Sequence, residues 1–509
     1  MPYRNPVIRG FHPDPSVCRV GDDYYLVTSS FEYFPGLPVF HSTDLVSWTN
    51  IGHCLTRPEQ VDLSGVPTSG GIWAPTLRHH DGVFYVITTV MHEASFANEL
   101  DEDGWFSGDH LAGRHLVLTA TDPAGPWSDP VWVSGGGLDP SLLFDDGEVL
   151  MTHAEAGTIL QSTVDLKTGE RTSPTRVLWT GTKEITSEGP HLYRVGGTYY
   201  LLVAEGGTSY GHSIAVARSS SPWGPWESHP ANPVLSHRTR DGHPVQATGH
   251  GDLVQDGEGR WWMVFLGIRA RGYPAFHTLG RETFLAPVRW EDGWPWVDGP
   301  VELQVEDGPE SQERGPLQWR DDFSSDVLPG RWNTVRGPDP GVLATDGRLV
   351  LRPTAAGASR GRRAFVGTRQ TEPRCRAEVE LVLHPAADGD VAGLAVRMDD
   401  RHTYDVAVES AGAGLAVRLR RRVGSLSCVG PAVGVPAGPV RLRVVAEPFL
   451  YRFYLVQPGA DAVLLGSGEA LYLSSEVAGG FTGVYLGVFA EGEGEAEVAE
   501  FEMAEAPAD

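Results

Sequence analysis

Four ionisable side chains recur at one place in a repeated sequence pattern. Asp14, Asp139, Glu188 and His250 each stand at or near the same position before a turn rich in Asp and Gly, and Pro75 occupies that position in the remaining copy. Carboxyl groups and imidazoles are the side chains that most often transfer protons in enzymes. If the copies form a ring, three carboxylates and one histidine face each other across a single pocket, where an acid and a base can act on one bound molecule.

Each of these residues also has a simpler interpretation when it is taken alone. Asp-Pro is a common turn pair, so Asp14 and Asp139 could be turn residues. Glu188 could be a charge at a strand end, and His250 a hydrogen-bonded histidine of the core. The functional interpretation depends on their joint recurrence, because the other positions of the repeat are apolar.

The repeated pattern predicts a β-hairpin. Each copy has a short apolar strand, an Asp/Gly turn and a second strand dense in Tyr, Phe, Trp and Val. The copies are FHPDPSVCRVGDDYYLVTSS (11–30), WAPTLRHHDGVFYVITT (73–89), DPSLLFDDGEVLMTHA (139–154), EGPHLYRVGGTYYLLVAEGG (188–207) and HGDLVQDGEGRWWMVFLG (250–267). Five hairpins at a period of roughly 50 to 65 residues indicate radially arranged four-stranded sheets. The sequence therefore predicts a five-bladed β-propeller.

The remaining segments also point to an all-β chain, since Gly and Pro interrupt almost every segment and the apolar period is two. Segments 41–48, 119–127 and 217–226 each follow a hairpin and are predicted to be short strands that end in a tryptophan turn, forming outer strands of blades 1, 2 and 4 with the tryptophan packed between neighbouring sheets. The predicted domains are a propeller over 1–301, a linker over 302–318 and a β-sandwich over 319–509. The arginine run at 418–422 is interpreted as a solvated sheet face.

Composition narrows the classes of partner. The 509 residues carry 40 basic and 66 acidic side chains, and the net charge of −26 makes nucleic acid an unexpected partner. Four cysteines (Cys18, Cys54, Cys375 and Cys428) form no CxxC pair and are predicted to be reduced, buried thiols. No apolar leader or membrane-spanning run is apparent. We expect no membrane partner and a cytoplasmic location, or an extracellular one if a signal peptide has been removed.

Paired carboxylates in a pocket suit the hydrolysis of a glycosidic bond. One carboxyl group protonates the leaving oxygen while the other activates water. A third carboxylate nearby would raise the pKa of the acid by like-charge repulsion. Phe31 and Trp73 would supply apolar walls for a sugar ring, and Arg281 would bind hydroxyl groups or balance the acids.

Several motifs together resemble one known family. FHPDPS, GDDYYLVTSSFEYFPGLPVFHSTDLVSW, SGGIWAPTLRHHDG, GLDPSLLFDDG, SEGPHLY, ATGHGDLV and LGRETFLAPV follow in this order over most of residues 5 to 300. They resemble glycoside hydrolase family 43, of the β-xylosidase and α-L-arabinofuranosidase type with a C-terminal sandwich. The resemblance implies a five-bladed propeller and an inverting mechanism. It also implies that Asp14 is the general base, Glu188 the general acid, and Asp139 the residue that tunes the pKa of the acid and orients it.

The resemblance further implies which residues surround the sugar. Phe31, Trp73, Thr208, His250 and Arg281 are expected to line the sugar subsite. In some relatives the histidine that matches His250 helps to hold a calcium ion through water, so calcium stays open here, although no cofactor is expected to be required. An aromatic residue of the sandwich often closes the pocket in relatives. Phe481 is the candidate, with a strand residue of the sandwich core as the alternative interpretation.

A pocket closed in this way predicts exo action on small oligosaccharides. The expected reaction releases terminal β-D-xylose, α-L-arabinofuranose or both from xylo- or arabino-oligosaccharides, and the sequence does not distinguish the two pentoses. An arabinanase-like hydrolase and a carbohydrate-binding propeller without catalysis are the alternatives. The long acidic insert at 91–111 would shape a subsite or a contact of a homo-oligomer, and it leaves the leaving-group specificity open.

Overall fold

The computed structural model describes residues 2–92, 113–182, 186–306, 308, 317–354, 363–412, 414–457, 459 and 461–506. The chain forms two compact units. One comprises Met1–Ala270 and Arg281–Glu313, and the other comprises Arg271–Gly280 and Arg314–Asp509. The insert at 91–111, which the sequence singled out, lies almost entirely outside the described residues.

The first unit is a five-bladed β-propeller, which confirms the prediction from the hairpin repeats. Each blade is an antiparallel sheet whose four main strands pair in sequence order. The strands are Ser16–Val20, Asp23–Val27, Gly36–Ser42 and Thr49–Leu55 in blade 1; Gly71–His80, Val83–Met91, Arg114–Ala120 and Val131–Gly136 in blade 2; Leu138–Asp145, Glu148–Glu155, Thr158–Thr163 and Arg176–Trp179 in blade 3; Ser187–Val195, Thr198–Glu205, Ser213–Ser219 and Glu227–Ser228 in blade 4; and Val245–Gln255, Trp261–Arg269, Glu282–Glu291 and Trp294–Trp296 in blade 5. A short strand at Leu235–Ser236 pairs within blade 4, and another at Tyr33–Phe34 lies in the connection between the second and third strands of blade 1.

The first strands of the five blades contact one another in a closed ring, so they are the inner strands. The N-terminal segment packs along the third strand of blade 5. Tyr3–Arg4 pairs with Gln304–Val305, and the amide side chain of Asn5 exchanges hydrogen bonds with both backbone groups of Leu285. Pairing of this kind satisfies a sheet edge that would otherwise be open.

Apolar clusters between neighbouring blades form the core of the propeller. Trp127 is buried in the cluster shared by blades 1 and 2, as its predicted packing requires. The predicted tryptophan turns of segments 41–48, 119–127 and 217–226 are confirmed, but only the first residues of each segment belong to a strand. Each begins in a third strand, and its tryptophan lies in the Asp-, Ser- or Pro-containing turn that leads to the fourth strand. The turn residues end the strand before the tryptophan is reached.

The second unit contains two facing sheets of a β-sandwich around one large apolar cluster. One sheet contains Gln318–Asp321, Val342–Thr345, Arg348–Leu351, Cys375–His384, Val440–Ala446, Leu450–Val456, Val463–Glu469 and Glu495–Glu505. The other contains Arg363–Arg369, Val391–Arg397, His402–Ala411, Gly414–Val423, Leu426–Val429, Val433–Val435 and Tyr485–Glu491. A two-residue strand at Thr334–Val335, a 3₁₀ turn at Ala470–Leu473 and a helix at Ser475–Ala478 complete the unit, and no described helix is long and apolar enough to cross a membrane.

The segment Arg271–Gly280 is an excursion of the fifth blade that belongs to the second unit. Phe276 joins the core of the sandwich, and the backbone N–H of Val484 donates to the carbonyl of Thr278 at 2.9 Å. The predicted first domain, 1–301, did not anticipate this excursion.

Two smaller predictions need correction. Cys54 and Cys375 are buried and Cys18 is half-buried, but the thiol of Cys428 is exposed. In the arginine run, Arg420 is half-buried, whereas a solvated side chain was predicted. It forms ion pairs with Asp405 of the adjacent strand at 3.1 Å and with Glu491, which ends another strand of the same sheet, at 2.8 Å.

Candidate active site

Three predicted site residues lie at β-bulges of inner strands. The strand pairing shifts register between Leu138 and Ser141, between Glu188 and His191, and between Gly249 and Asp252. These interruptions contain Asp139, begin at Glu188 and contain His250. A bulge re-aims side chains and ends regular pairing, which is why bulges are frequent near active sites.

Left-handed backbone accompanies these bulges. Asp14, Asp139 and His250 have φ values of 55°, 51° and 47°, and in blade 4 the left-handed residue is Gly189 at 55°. The conformation costs roughly 1–2 kcal/mol for a residue with a Cβ, and Asp and His are among the side chains that adopt it most readily. Strain of this kind persists where the surrounding structure holds it, and here it coincides with the predicted site.

Three side chains surround the carboxylate of Asp14, which is only 4% exposed. Ser29 Oγ donates to Oδ2 at 2.5 Å, and Arg281 Nη1 donates to Oδ1 at 3.1 Å. His250 Nδ1 lies 3.8 Å from the same Oδ1. Both oxygens of Asp14 therefore face polar or cationic groups, in the arrangement expected for a carboxylate that stays fixed while it accepts a proton.

Arg281 joins Asp14 to the other predicted subsite residues. Its Nη1 also donates to Thr208 Oγ1 at 2.8 Å, and its guanidinium carbon lies 5.6 Å from the ring centre of Phe31. The ring centres of Phe31 and Trp73 are 6.1 Å apart and tilted by 45°. The structure thus brings these four residues together beside Asp14 as an apolar wall with a cationic edge.

Asp139 and Glu188 belong to neighbouring blades, and one hydrogen bond links Asp139 to the residue after Glu188. Asp139 Oδ2 accepts from the backbone N–H of Gly189, the residue after Glu188, at 2.9 Å. Burial, and then the negative charge of Asp14, raise the pKa of Glu188 to about 7, while Arg281 acts in the opposite direction. The sequence attributed this rise to a third carboxylate alone; burial is the larger cause.

Burial also raises the pKa of the Asp139 carboxyl well above its usual range. The charges of Glu188 and Asp14 add to the rise, and His250 and the Gly189 N–H oppose it. Glu188 and Asp139 thus titrate as neighbours in one desolvated pocket, where two negative charges are unfavourable. At neutral pH this pocket can hold a protonated carboxyl group opposite the carboxylate of Asp14.

Glycine is required where His250 packs. A Cβ on Gly189 would lie 3.1 Å from the ring of His250, and its φ of 55° already disfavours a side chain. A Cβ on Gly249 would lie within 2.1 Å of His212 Nε2. The close approach of these rings to the backbone is a packing requirement that spacing alone did not reveal.

Sequence reasoning missed Ser29 and His212. Ser29 stands in the first hairpin at the end of LVTSS, but a serine there has no pattern that marks it as a hydrogen-bond donor to Asp14. His212 is buried beside the site, and burial lowers its pKa to about 3. Its signal was the His in GGTSYGH, which follows Thr208 by four residues.

Phe481 is half-buried and belongs to the second unit. It lies in the loop between the helix Ser475–Ala478 and the strand Tyr485–Glu491, so the alternative interpretation as a strand residue is wrong. Its predicted role in closing the pocket stays a prediction.

Comparison with known proteins agrees with this geometry. The family model "Glycosyl hydrolases family 43" matches residues 3–295, and "Beta xylosidase C-terminal Concanavalin A-like domain" matches residues 320–506. The chain belongs to glycoside hydrolase family 43. Enzymes of this family are inverting glycosidases that generally need no cofactor.

Relatives of family 43 match along almost the whole chain. A non-reducing end α-L-arabinofuranosidase of Bacteroides ovatus, BoGH43B, is 42% identical over 97% of this chain and 92% of its own length. A putative β-xylosidase of Escherichia coli is 34% identical over 96% of each chain. Among solved structures, the Bacteroides ovatus GH43B protein has a TM-score of 0.90 at 40% identity, covering 99% of this chain and all of that one. BlXynB of Bacillus licheniformis has a TM-score of 0.89 at 33% identity with the same coverage.

Proposed function

We propose that this family 43 glycosidase releases terminal α-L-arabinofuranose and β-D-xylose from short oligosaccharides by exo action. The observation that carries the proposal is the arrangement of Asp14, Asp139 and Glu188 at the inner strands of three blades, beside an apolar wall and Arg281. Relatives named for each of the two activities match nearly the full length, and the arabinofuranosidase is more similar. We therefore place α-L-arabinofuranosides first among the substrates.

In the proposed mechanism, Asp14 is the general base. Its carboxylate, held by Ser29 and Arg281, takes a proton from the water that attacks the anomeric carbon. Glu188, whose raised pKa favours the protonated form, gives its proton to the leaving oxygen. Attack and departure on opposite faces of the sugar invert the anomeric configuration.

Asp139 is proposed to orient the acid and to tune its pKa. The hydrogen bond from Gly189 N–H fixes the backbone next to Glu188, and the charge of Asp139 is coupled to that of Glu188 in the buried pocket. Phe31 and Trp73 would then contact the sugar ring, and Arg281 and Thr208 its hydroxyl groups. His250 would help to fix the position of the base, since its Nδ1 lies 3.8 Å from Asp14 Oδ1.

Calcium is not part of this proposal, because the side chains around His250 do not supply the oxygen ligands of a directly bound ion. Ca²⁺ takes about 6–8 oxygen ligands. The nearby carboxylate oxygens already accept hydrogen bonds, those of Asp14 from Ser29 and Arg281 and one of Asp139 from Gly189. In the ranges that the structure describes, no group of three or more His, Cys, Asp or Glu side chains is placed to hold a metal ion. We derive no step through a metal, and activity after EDTA treatment should be unchanged.

The deciding assay compares catalytic efficiencies on aryl α-L-arabinofuranoside and aryl β-D-xyloside. The proposal expects hydrolysis of both, with the arabinofuranoside at least as good a substrate. Endo cleavage of a linear arabinan would favour the arabinanase-like alternative instead. Binding of pentose oligosaccharides without turnover of either aryl glycoside would favour a carbohydrate-binding propeller. An intracellular location, suited to short imported oligosaccharides, also stays a proposal and is testable by cell fractionation.

A further inference from the structure

A buried ion pair joins two inner strands of the propeller, and the mechanism above does not use it. Arg78 of blade 2 donates through Nη1 to Oδ2 of Asp252 in blade 5 at 2.9 Å. The side chain of Asp252 is fully buried and that of Arg78 is 15% exposed. A buried pair of this kind is costly to desolvate, so its presence in the ring of inner strands needs an explanation.

Groups from all five blades surround this pair. Ser16 of blade 1 donates to Asp252 Oδ2 at 2.7 Å, and Tyr193 of blade 4 donates to Asp252 Oδ1. Arg78 Nη2 lies 2.9 Å from His191 Nδ1 of blade 4. Ser141 of blade 3 lies 3.2 Å from the same nitrogen. The Arg78–Asp252 pair is therefore the point at which the inner strands are hydrogen-bonded together.

The same contacts lead to the candidate active site. His191 is three residues after Glu188 on one inner strand, and its ring centre lies 6.4 Å from that of His250 in an edge-to-face arrangement. His250 Nδ1 in turn lies 3.8 Å from Asp14 Oδ1. A shift of His191 would therefore change the surroundings of His250 and of the base.

The pair is also balanced in charge. The other titratable groups that face it are His191, Tyr193 and Cys18. Burial lowers the pKa of His191 to about 3 and raises the pKa of Cys18 to about 12, and burial with the charge of Asp252 raises that of Tyr193. All three are neutral near pH 7, so the charges of Arg78 and Asp252 cancel only each other.

We propose that Arg78 and Asp252 form a charge-balanced ion pair that positions His191 and His250 next to the catalytic carboxylates. Because the two charges cancel, the pair adds no net charge to the surroundings of these carboxylates. The inference rests on the proposed function, because the acid and base belong to that reaction. Both residues are positioning residues, since they act through His191 and through the electric field. The titratable groups that face Glu188 and Asp14 directly are Asp139, His212, His250 and Arg281, and the test leaves all of them unchanged.

The test is the pH dependence of kcat/KM for D252N, R78M and the double variant R78M/D252N. At most about 10 Å separates the Cα atoms of Glu188 and His191, where the Arg78–Asp252 pair contacts blade 4, because an extended strand rises about 3.3 Å per residue and the bulge between them shortens this span. An uncompensated unit charge at that distance shifts a carboxyl pKa by about one unit at an effective dielectric constant of about 20. D252N leaves the positive charge of Arg78 unbalanced, which lowers the pKa of both the base and the acid. Both limbs of the pH profile should therefore move to lower pH by about this amount. R78M should move them to higher pH, and the double variant should restore the wild-type profile.

Matched controls separate this effect from loss of stability. D145N removes a carboxylate that pairs with Arg194, whose side chain is 43% exposed and at the other end of the inner strands, so its profile should stay unchanged. Thermal unfolding is recorded for every variant. D252N profiles that coincide with wild type, with only a lower unfolding temperature, would reduce the pair to a structural role and overturn the proposal. So would D252N and R78M shifts of the same sign. If R78M does not fold, the shape-conserving D252N decides alone.

A failure of the proposed function has a different signature. In that case the wild-type protein itself hydrolyses neither aryl pentoside. The charge balance is then tested on the same variants by ¹³C NMR titration of the carboxyl groups. Carboxyl pKa values that fall in D252N and return to the wild-type values in the double variant support the proposed charge balance. Unchanged values overturn it.

Discussion

The backbone N–H of Gly189 donates to Asp139 Oδ2 at 2.9 Å, so the carboxylate of blade 3 holds the inner strand of blade 4 next to Glu188. We predict that D139A lowers kcat/KM roughly tenfold to hundredfold, the effect of losing one charged hydrogen bond. D139N retains an oxygen acceptor for the N–H and should lose less. Steady-state kinetics on aryl arabinofuranosides measures both. Equal losses in D139A and D139N would show that the charge of Asp139, and not its hydrogen bond, is what matters.

Glu188 should act as the proton donor, so the loss of activity on its replacement should depend on the leaving group. We expect E188A to lose about 10²–10⁴-fold in kcat/KM on oligosaccharides, whose leaving oxygen needs a proton, and far less on 4-nitrophenyl glycosides. Since the acid must be protonated and its pKa is raised to about 7, wild-type activity should fall as the pH rises beyond about 7. This limb should be missing in E188A. Equal losses on good and poor leaving groups would exclude the acid role.

Arg281 bonds to both Asp14 and Thr208, and the two contacts can be separated by mutation. R281M leaves the buried carboxylate of Asp14 without its cationic partner and should lower kcat/KM by about 10²–10³-fold. T208V removes one hydrogen bond from the guanidinium to a neutral hydroxyl and should cost about tenfold. A double-mutant cycle measures their coupling. Independent, additive effects would indicate that Thr208 does not depend on Arg281 for its position.

Buried histidines should make the fold sensitive to acid. Burial, with the charges of His115 and Arg171, lowers the pKa of His153 to about 3. The unfolded chain therefore takes up a proton near pH 6.5 that the folded chain does not, and stability is lost as the pH falls from about 6.5 towards 3. We predict a shallower decline of the thermal unfolding midpoint over this range in H153M than in wild type.

The comparison between variants is needed because two carboxyl groups act in the opposite sense. The raised pKa values of Glu188 and Asp139 favour the folded state at low pH and destabilise it as the pH rises through about 7. Neither is altered in H153M. Identical slopes for H153M and wild type would show that His153 is protonated in the folded protein.

The hairpin repeats were sufficient to predict the five blades and to align Asp14, Asp139, Glu188 and His250. Alternation of apolar residues and turn chemistry predict individual hairpins. Their recurrence at a regular period predicts that the hairpins form the blades of a propeller. The strands of the tryptophan segments are shorter than predicted because a strand and the turn after it both contain residues that favour burial. Their order along the blade is decided by pairing, which a single segment does not specify.

The detailed site was less predictable. Bulges and left-handed backbone at Asp139 and His250 come from competition between strand pairing and the close packing of the inner strands. Arg78 and Asp252 come from blades distant in sequence, and Ser29 contacts Asp14 of its own blade through a serine that no motif marks, so neither spacing nor residue type identifies these three. The excursion Arg271–Gly280 likewise carries no compositional signal, since its Phe276 is apolar in either unit.

The most direct test of the proposed function is the hydrolysis of 4-nitrophenyl α-L-arabinofuranoside and β-D-xyloside by wild-type protein and D14N. The account predicts turnover of these substrates by wild type and a loss of at least about 10³-fold in D14N, because the amide cannot take the proton from water. The unfolding temperature of D14N is measured to show that it is folded. Failure of wild type to hydrolyse either substrate between pH 5 and 9, or an unchanged rate in folded D14N, would contradict the account.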